Sequence, residues 1–97
     1  MNIDRVKRME AILDECAGAT KALDRELDRM DSLREDMIAL FQYYGSEQWH
    51  TDRDAEKPAD LKAGVLSEDL VYDEITALRD SAFHMLELAA DILKNRI

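Results

Sequence analysis

Stepping by three and four, the positions Val6, Met9, Leu13, Cys16, Thr20, Leu23, Leu27, Met30, Arg34, Met37, Phe41 and Tyr44 are apolar except for Thr20 and Arg34. Ile12, Ala19, Leu33 and Leu40 widen this stripe on one side. The period is that of an amphipathic helix, and the pattern predicts one over about 3–44 whose apolar face needs another helix. Gly18 falls on the polar side, between two alanines. It either sits within one long helix at about 1 kcal/mol or marks a break. The continuous helix is expected. A second stripe runs through Val71, Ile75, Leu78, Ala82, Met85, Ala89 and Ile92, widened by Leu86 and Leu93, and predicts a helix over about 67–96. Ser67 reads as its N-cap, Glu68 and Asp69 as first-turn acids, and Leu66 with Val71 as a hydrophobic staple. Lys94 and Arg96 fall in its last turn, where cations suit the dipole.

The segment 45–66 between them breaks the rhythm. Two of the three glycines, the sole proline, the sole tryptophan and all three tyrosines lie in or beside it. Gly45 sits where a helix C-terminal glycine belongs. Ser46-Glu47-Gln48-Trp49 predicts a short helical turn, Thr51 to Lys57 a solvated charged stretch, and Pro58 to Leu61 a turn leading into another helical turn. Aromatics with polar tips suit a half-buried site, so Tyr43, Tyr44, Trp49 and Tyr72 read first as a small satellite core. The same residues, with His50, are also the candidate partner-binding surface, because Tyr and Trp are common interface anchors.

Helix lengths set the expected architecture. The first helix spans roughly 60 Å and the second roughly 45 Å, so a hairpin leaves Ile3, Val6, Met9, Ile12 and Leu13 projecting beyond it. The chain is therefore expected to be a single all-α domain, a long two-helix antiparallel hairpin with a structured connector, pairing into a helical-bundle homodimer through those five residues. The alternative is a three-helix bundle, formed if the first helix breaks near Gly18.

Charge narrows the partners. Net charge is −9, spread as −3 over 1–44, −2 over 45–66 and −4 over 67–97. No segment is basic, which argues against direct nucleic-acid binding and against an anionic membrane surface. An acidic decoy that mimics nucleic acid is an alternative function: Asp24, Asp28, Asp31 and Glu35 run along one face. Arg25, Arg29 and Arg34 interleave with them and point instead to ion pairing along a helix. Cys16 lies on the apolar stripe, beside the acids Asp14 and Glu15 rather than bases, and is expected to be a buried structural residue. The N-terminus lacks the apolar core of a signal peptide and no apolar run approaches a membrane span, so a cytoplasmic protein is expected.

No catalytic chemistry, metal site or cofactor is expected. A calcium loop starting at Asp52 needs glycine sixth and glutamate twelfth, and Lys57 and Ala63 stand there. His50 has no second histidine near it, and His84 is far along the second helix. Ser46 and Ser67 are better explained as turn and cap residues than as nucleophiles. A small ligand-binding regulator, using a connector pocket walled by Trp49, Tyr72, His50 and Lys62, is the other alternative.

The connector carries a resemblance. Tyr43-Tyr44-Gly45-Ser46, Trp49, Asp52, Leu61-Lys62, Gly64-Val65-Leu66-Ser67-Glu68-Asp69 and Tyr72-Asp73 resemble the signature of the bacterial domain of unknown function 4298 family. Arg5-Val6-Lys7-Arg8-Met9-Glu10 and Leu13-Asp14-Glu15 are similar to that family's opening helix. The resemblance implies a small bacterial or phage protein and supplies no catalytic residue. Together these readings describe a non-enzymatic helical protein–protein interaction module that homodimerises and presents an aromatic-rich connector to another protein.

Overall fold

A computed structural model describes residues 1–95. Three α-helices follow in order: α1 (Ile3–Tyr43), α2 (Glu47–Asp54) and α3 (Glu68–Lys94), with a 3₁₀ turn at Gly64–Leu66 ahead of α3. The chain divides into two units, Met1–Ile38 and Ala39–Ile97. The first consists of α1 up to Ile38 and the two residues before it. The second holds the end of α1, the connector and α3.

Local chemistry explains each boundary. The Asn2 side chain accepts from the Arg5 N–H at 3.0 Å, capping α1. α1 then runs unbroken through Gly18, so the three-helix bundle with a break there does not form. Thr20, one of the two polar residues on the stripe, donates its hydroxyl to the Cys16 carbonyl at 3.0 Å, satisfying itself within its own helix. Gly45, at φ 77, ends α1 in the left-handed region that a side chain disfavours. Ser46 at once caps α2 by accepting from the Trp49 N–H at 3.2 Å, and Ser67 caps α3 by accepting from Leu70 N–H at 3.4 Å. Lys57 closes the other end of α2: its ammonium donates to the carbonyls of Arg53 and Ala55, each at 2.6 Å.

Several sequence expectations change. Thr51 to Lys57 is not simply solvated: α2 extends to Asp54, and Arg53 and Lys57 are half-buried. The helical turn after Pro58 is only a Leu61 N–H to Pro58 carbonyl bond, and the 3₁₀ turn comes later, at Gly64. Cys16 is exposed rather than buried. Other stripe residues are exposed too, although Met30, Met37, Leu40, Phe41, Ile75 and Leu78 are half-buried and Val71 is buried. Ile3, Leu13, Leu23 and Leu27 on α1, and Met85, Leu86 and Leu93 on α3, are all exposed. Arg96 lies outside the described residues.

Gly18 now yields a clear expectation. It lies inside α1, and a Cβ built on it meets nothing within 4 Å. Gly18→Ala is expected to stabilise the helix by up to about 1 kcal/mol. Urea unfolding followed by circular dichroism checks this, and an unchanged or lower midpoint would show that Gly18 is covered in the working assembly.

Candidate functional site

The second unit is organised around Trp49. It is 1% exposed, and Val71 at 5% is the only other buried hydrophobic among the described residues. Ser46 starts α2 in a register that directs the indole inward, and its Nε1–H donates to the Val65 carbonyl at 2.9 Å. That bond satisfies the indole donor, as burial of tryptophan requires. Tyr44 packs edge-on against the indole, with centroids 5.3 Å apart, and His50 does so at 5.0 Å. The Arg53 guanidinium lies 4.8 Å from the indole centroid and reaches the Glu68 carboxylate at 3.3 Å. One side chain thus covers the ring by a cation–π contact and ties α2 to the first turn of α3.

Two tyrosines at the end of α1 complete the arrangement. Tyr44 donates its hydroxyl to the Glu68 carbonyl at 3.0 Å. Tyr43 donates to the Asp52 carboxylate, closing α1 onto α2. Both hydroxyls therefore act as latches, and both rings are half-buried. Val71 is buried and Leu66 half-buried, as a staple at the start of α3 requires.

The Tyr43–Asp52 bond perturbs the phenol. Donation to the carboxylate, then burial, then the neighbouring negative charge all favour the neutral form, so the Tyr43 pKa rises above its ordinary 10.0. The phenolate cannot donate and is repelled by Asp52. The latch is therefore intact below the unfolded tyrosine pKa and is lost as pH rises through the raised folded one. An absorbance titration of tyrosinate is expected to show a late component that Tyr43→Phe removes. An identical high-pH limb in the two proteins would show that the bond does not persist in solution.

Among the candidate partner-binding residues, the structure separates two groups. Trp49 is core and is not an exposed anchor, and Tyr43 and Tyr44 are half-buried latches. His50 and Tyr72 are exposed, Tyr72 at 61%. Of the four residues expected to wall a ligand pocket, Trp49 is buried, His50 and Tyr72 are exposed, and Lys62 lines a cleft elsewhere. That open cleft, of about 360 Å³, lies beside the Tyr43–Asp52 bond and is lined by Pro58, Leu61, Lys62 and Leu66. Of its two lining cations, Lys57 is committed to two carbonyls. Among the described residues, no group of three or more His, Cys, Asp or Glu side chains is placed to hold a metal ion. No described helix is long and apolar enough to cross a membrane.

In the acidic row on α1, Arg34 pairs with Asp31, and Arg29 lies 3.9 Å from Glu26 outside the row. Sequence reasoning missed Arg53 and Lys57. Both sit one helical turn from what they cover, Arg53 four residues after Trp49 and Lys57 four after Arg53, and that spacing was the available signal.

An all-α chain with two long exposed apolar stripes and a tryptophan-centred connector is defined by packing rather than by a reaction centre. The chain belongs to the family described as Domain of unknown function (DUF4298), whose model matches residues 6–88. No curated protein and no solved structure matches the chain.

Proposed function

We propose that this protein is a non-enzymatic helical interaction module that homodimerises through its long stripes and offers the connector to another protein. The observation behind this reading is the exposure of the α1 stripe: Ile3 is 60% exposed, Val6 42%, Met9 48%, Ile12 41% and Leu13 59%. A run of large apolar side chains at helical spacing gains most from a facing helix that repeats the same spacing, and a second copy supplies one. With only Trp49 and Val71 buried among the described residues, the single chain has little core of its own, and association adds what it lacks. In the dimer the helices pack antiparallel, and the exposed connector groups, His50 and Tyr72, face outward toward the partner protein.

The test is solution mass. Light scattering at tens of micromolar is expected to give twice the chain mass of 11.2 kDa. A strict monomer over that range would sink the proposal.

A further inference from the structure

The small residues of α1 fall together. Cys16, Ala17, Gly18, Ala19 and Thr20 are consecutive, and large apolar stripe positions run outward from them. Leu13, Met9 and Val6 come on one side, and Leu23, Leu27 and Met30 on the other. All lie in the first unit, where α1 is the single element.

We infer that α1 pairs antiparallel with α1 of a second copy about a twofold axis at the level of Gly18. The inference rests on the homodimer reading and fixes the orientation and register of its interface. Residues equally far from position 18 then share a level. Val6 meets Met30, Met9 meets Leu27, Leu13 meets Leu23 and Cys16 meets Thr20. Each is a stripe position on both copies, as antiparallel heptad packing requires. Two straight helices are closest where they cross and part toward their ends. Small side chains suit the crossing and large ones the diverging ends, which is the order found here. Thr20 brings no unsatisfied donor to the seam, because its hydroxyl donates to the Cys16 carbonyl of its own helix. A shift by one heptad in either direction loses this match. One shift sets Thr20 against Leu23 and Arg34 against Met9, and the other sets Thr20 against Met9 and Cys16 against Leu13. With the axis at Gly18, Arg34 clears the seam and lies level with Asn2.

Area favours a second copy as the occupant. Eight large apolar residues from Ile3 to Leu33 lie on this seam or its flanks, each 38–60% exposed. At about 90 Å² each they offer on the order of 700 Å² per copy. A standard interface takes roughly 800 Å² per partner.

Charge sets the direction. Residues 39–97 carry twelve acids and six bases, a net −6, against −3 for residues 1–38. Parallel pairing would attach two such −6 segments side by side and set Arg34 against Arg34 of the second copy. In the antiparallel pair they attach at opposite ends. Ile38 lies about 30 Å along α1 from the axis, so the attachment points are about 60 Å apart, several Debye lengths. The register also brings Glu10 beside Asp24 of the second copy. Lys7 and Lys21 stand one turn before these acids on the same flank, and exposed pairs of this kind count for little beside the apolar burial.

The sole cysteine makes the register testable. In the antiparallel pair the two Cys16 Cα atoms are about 10 Å apart, beyond the reach of a disulfide at about 7 Å. The two residues at position 20 are equally far apart, whereas Cys16 of one copy faces position 20 of the other. The unaltered chain and a chain carrying Cys16→Ser with Thr20→Cys are oxidised with diamide, each alone and as an equimolar mixture after exchange. The mixture is expected to form a covalent dimer at least tenfold faster than either chain alone. Rapid linking of the unaltered chain by itself would show parallel pairing and overturn the inference. If nothing links while sedimentation equilibrium gives a dimer, this register is overturned and the homodimer stands. If the unaltered chain sediments as a monomer, the stripe belongs to another occupant, such as α3 of the same chain, and the inference falls together with the reading it rests on.

Discussion

Trp49→Ala is expected to destabilise the connector by about 3–5 kcal/mol, the range for deleting a fully buried aromatic side chain. Among the described residues the indole is the one large side chain that is fully buried, at 1% exposure, and it organises the connector's other contacts. Its removal strands the Val65 carbonyl, takes away the ring that Tyr44 packs against, and leaves Arg53 with nothing to stack on. Amide exchange read by mass spectrometry checks this, because protection from Val65 to Val71 should collapse while the middle of α1 is unaffected. Trp49→Phe separates packing from hydrogen bonding. It keeps a ring but removes the donor to Val65, and about 1–3 kcal/mol is expected for the orphaned carbonyl. Near-native protection in Trp49→Ala would mean that the connector is held by its latches, not its core.

The second large effect concerns the stripe. Val6→Glu combined with Leu13→Glu places two charges on the face proposed to meet a second copy. Desolvating them there is expected to weaken dimerisation about a hundredfold or more, which is about 2.7 kcal/mol. Lys7→Ala, exposed and off the stripe, serves as the control and should leave the mass unchanged. Sedimentation equilibrium across a wide concentration range reads both. Equal association constants for the double variant and the unaltered chain would remove Val6 and Leu13 from the interface. Because both residues are exposed in the single chain, at 42% and 59%, neither substitution disturbs packing within it.

These two effects mark where sequence reading stopped. The capping residues were legible because a cap is local: Ser67 and Ser46 each act on an N–H three residues away, and Gly45 needs only its own φ. The Val65 carbonyl that receives the Trp49 donor lies sixteen residues away, and no local pattern specifies that pairing. Arg53 looked like one charge in an alternating run. Its role depends on where the Trp49 ring and Glu68 come to lie, which only the folded connector fixes.

The sequence by itself determined that the chain is helical, where each long helix begins and ends to within a residue or two, and that each carries an apolar stripe. Those properties follow from backbone propensity, caps and a 3.6-residue period, all of which act over a few residues. It also marked the connector as chemically individual through its concentration of tyrosine, tryptophan, glycine and proline. Only the tertiary structure decided that Trp49 is core rather than a contact surface, that Tyr43 and Tyr44 are latches, and that Cys16 stands exposed. It also showed large stripe residues exposed, Leu13 and Leu23 on α1 and Leu86 and Leu93 on α3 among them. Periodicity states that a face must be covered and is silent on what covers it, because hydrophobic burial is non-directional and rewards any apolar surface of the right spacing.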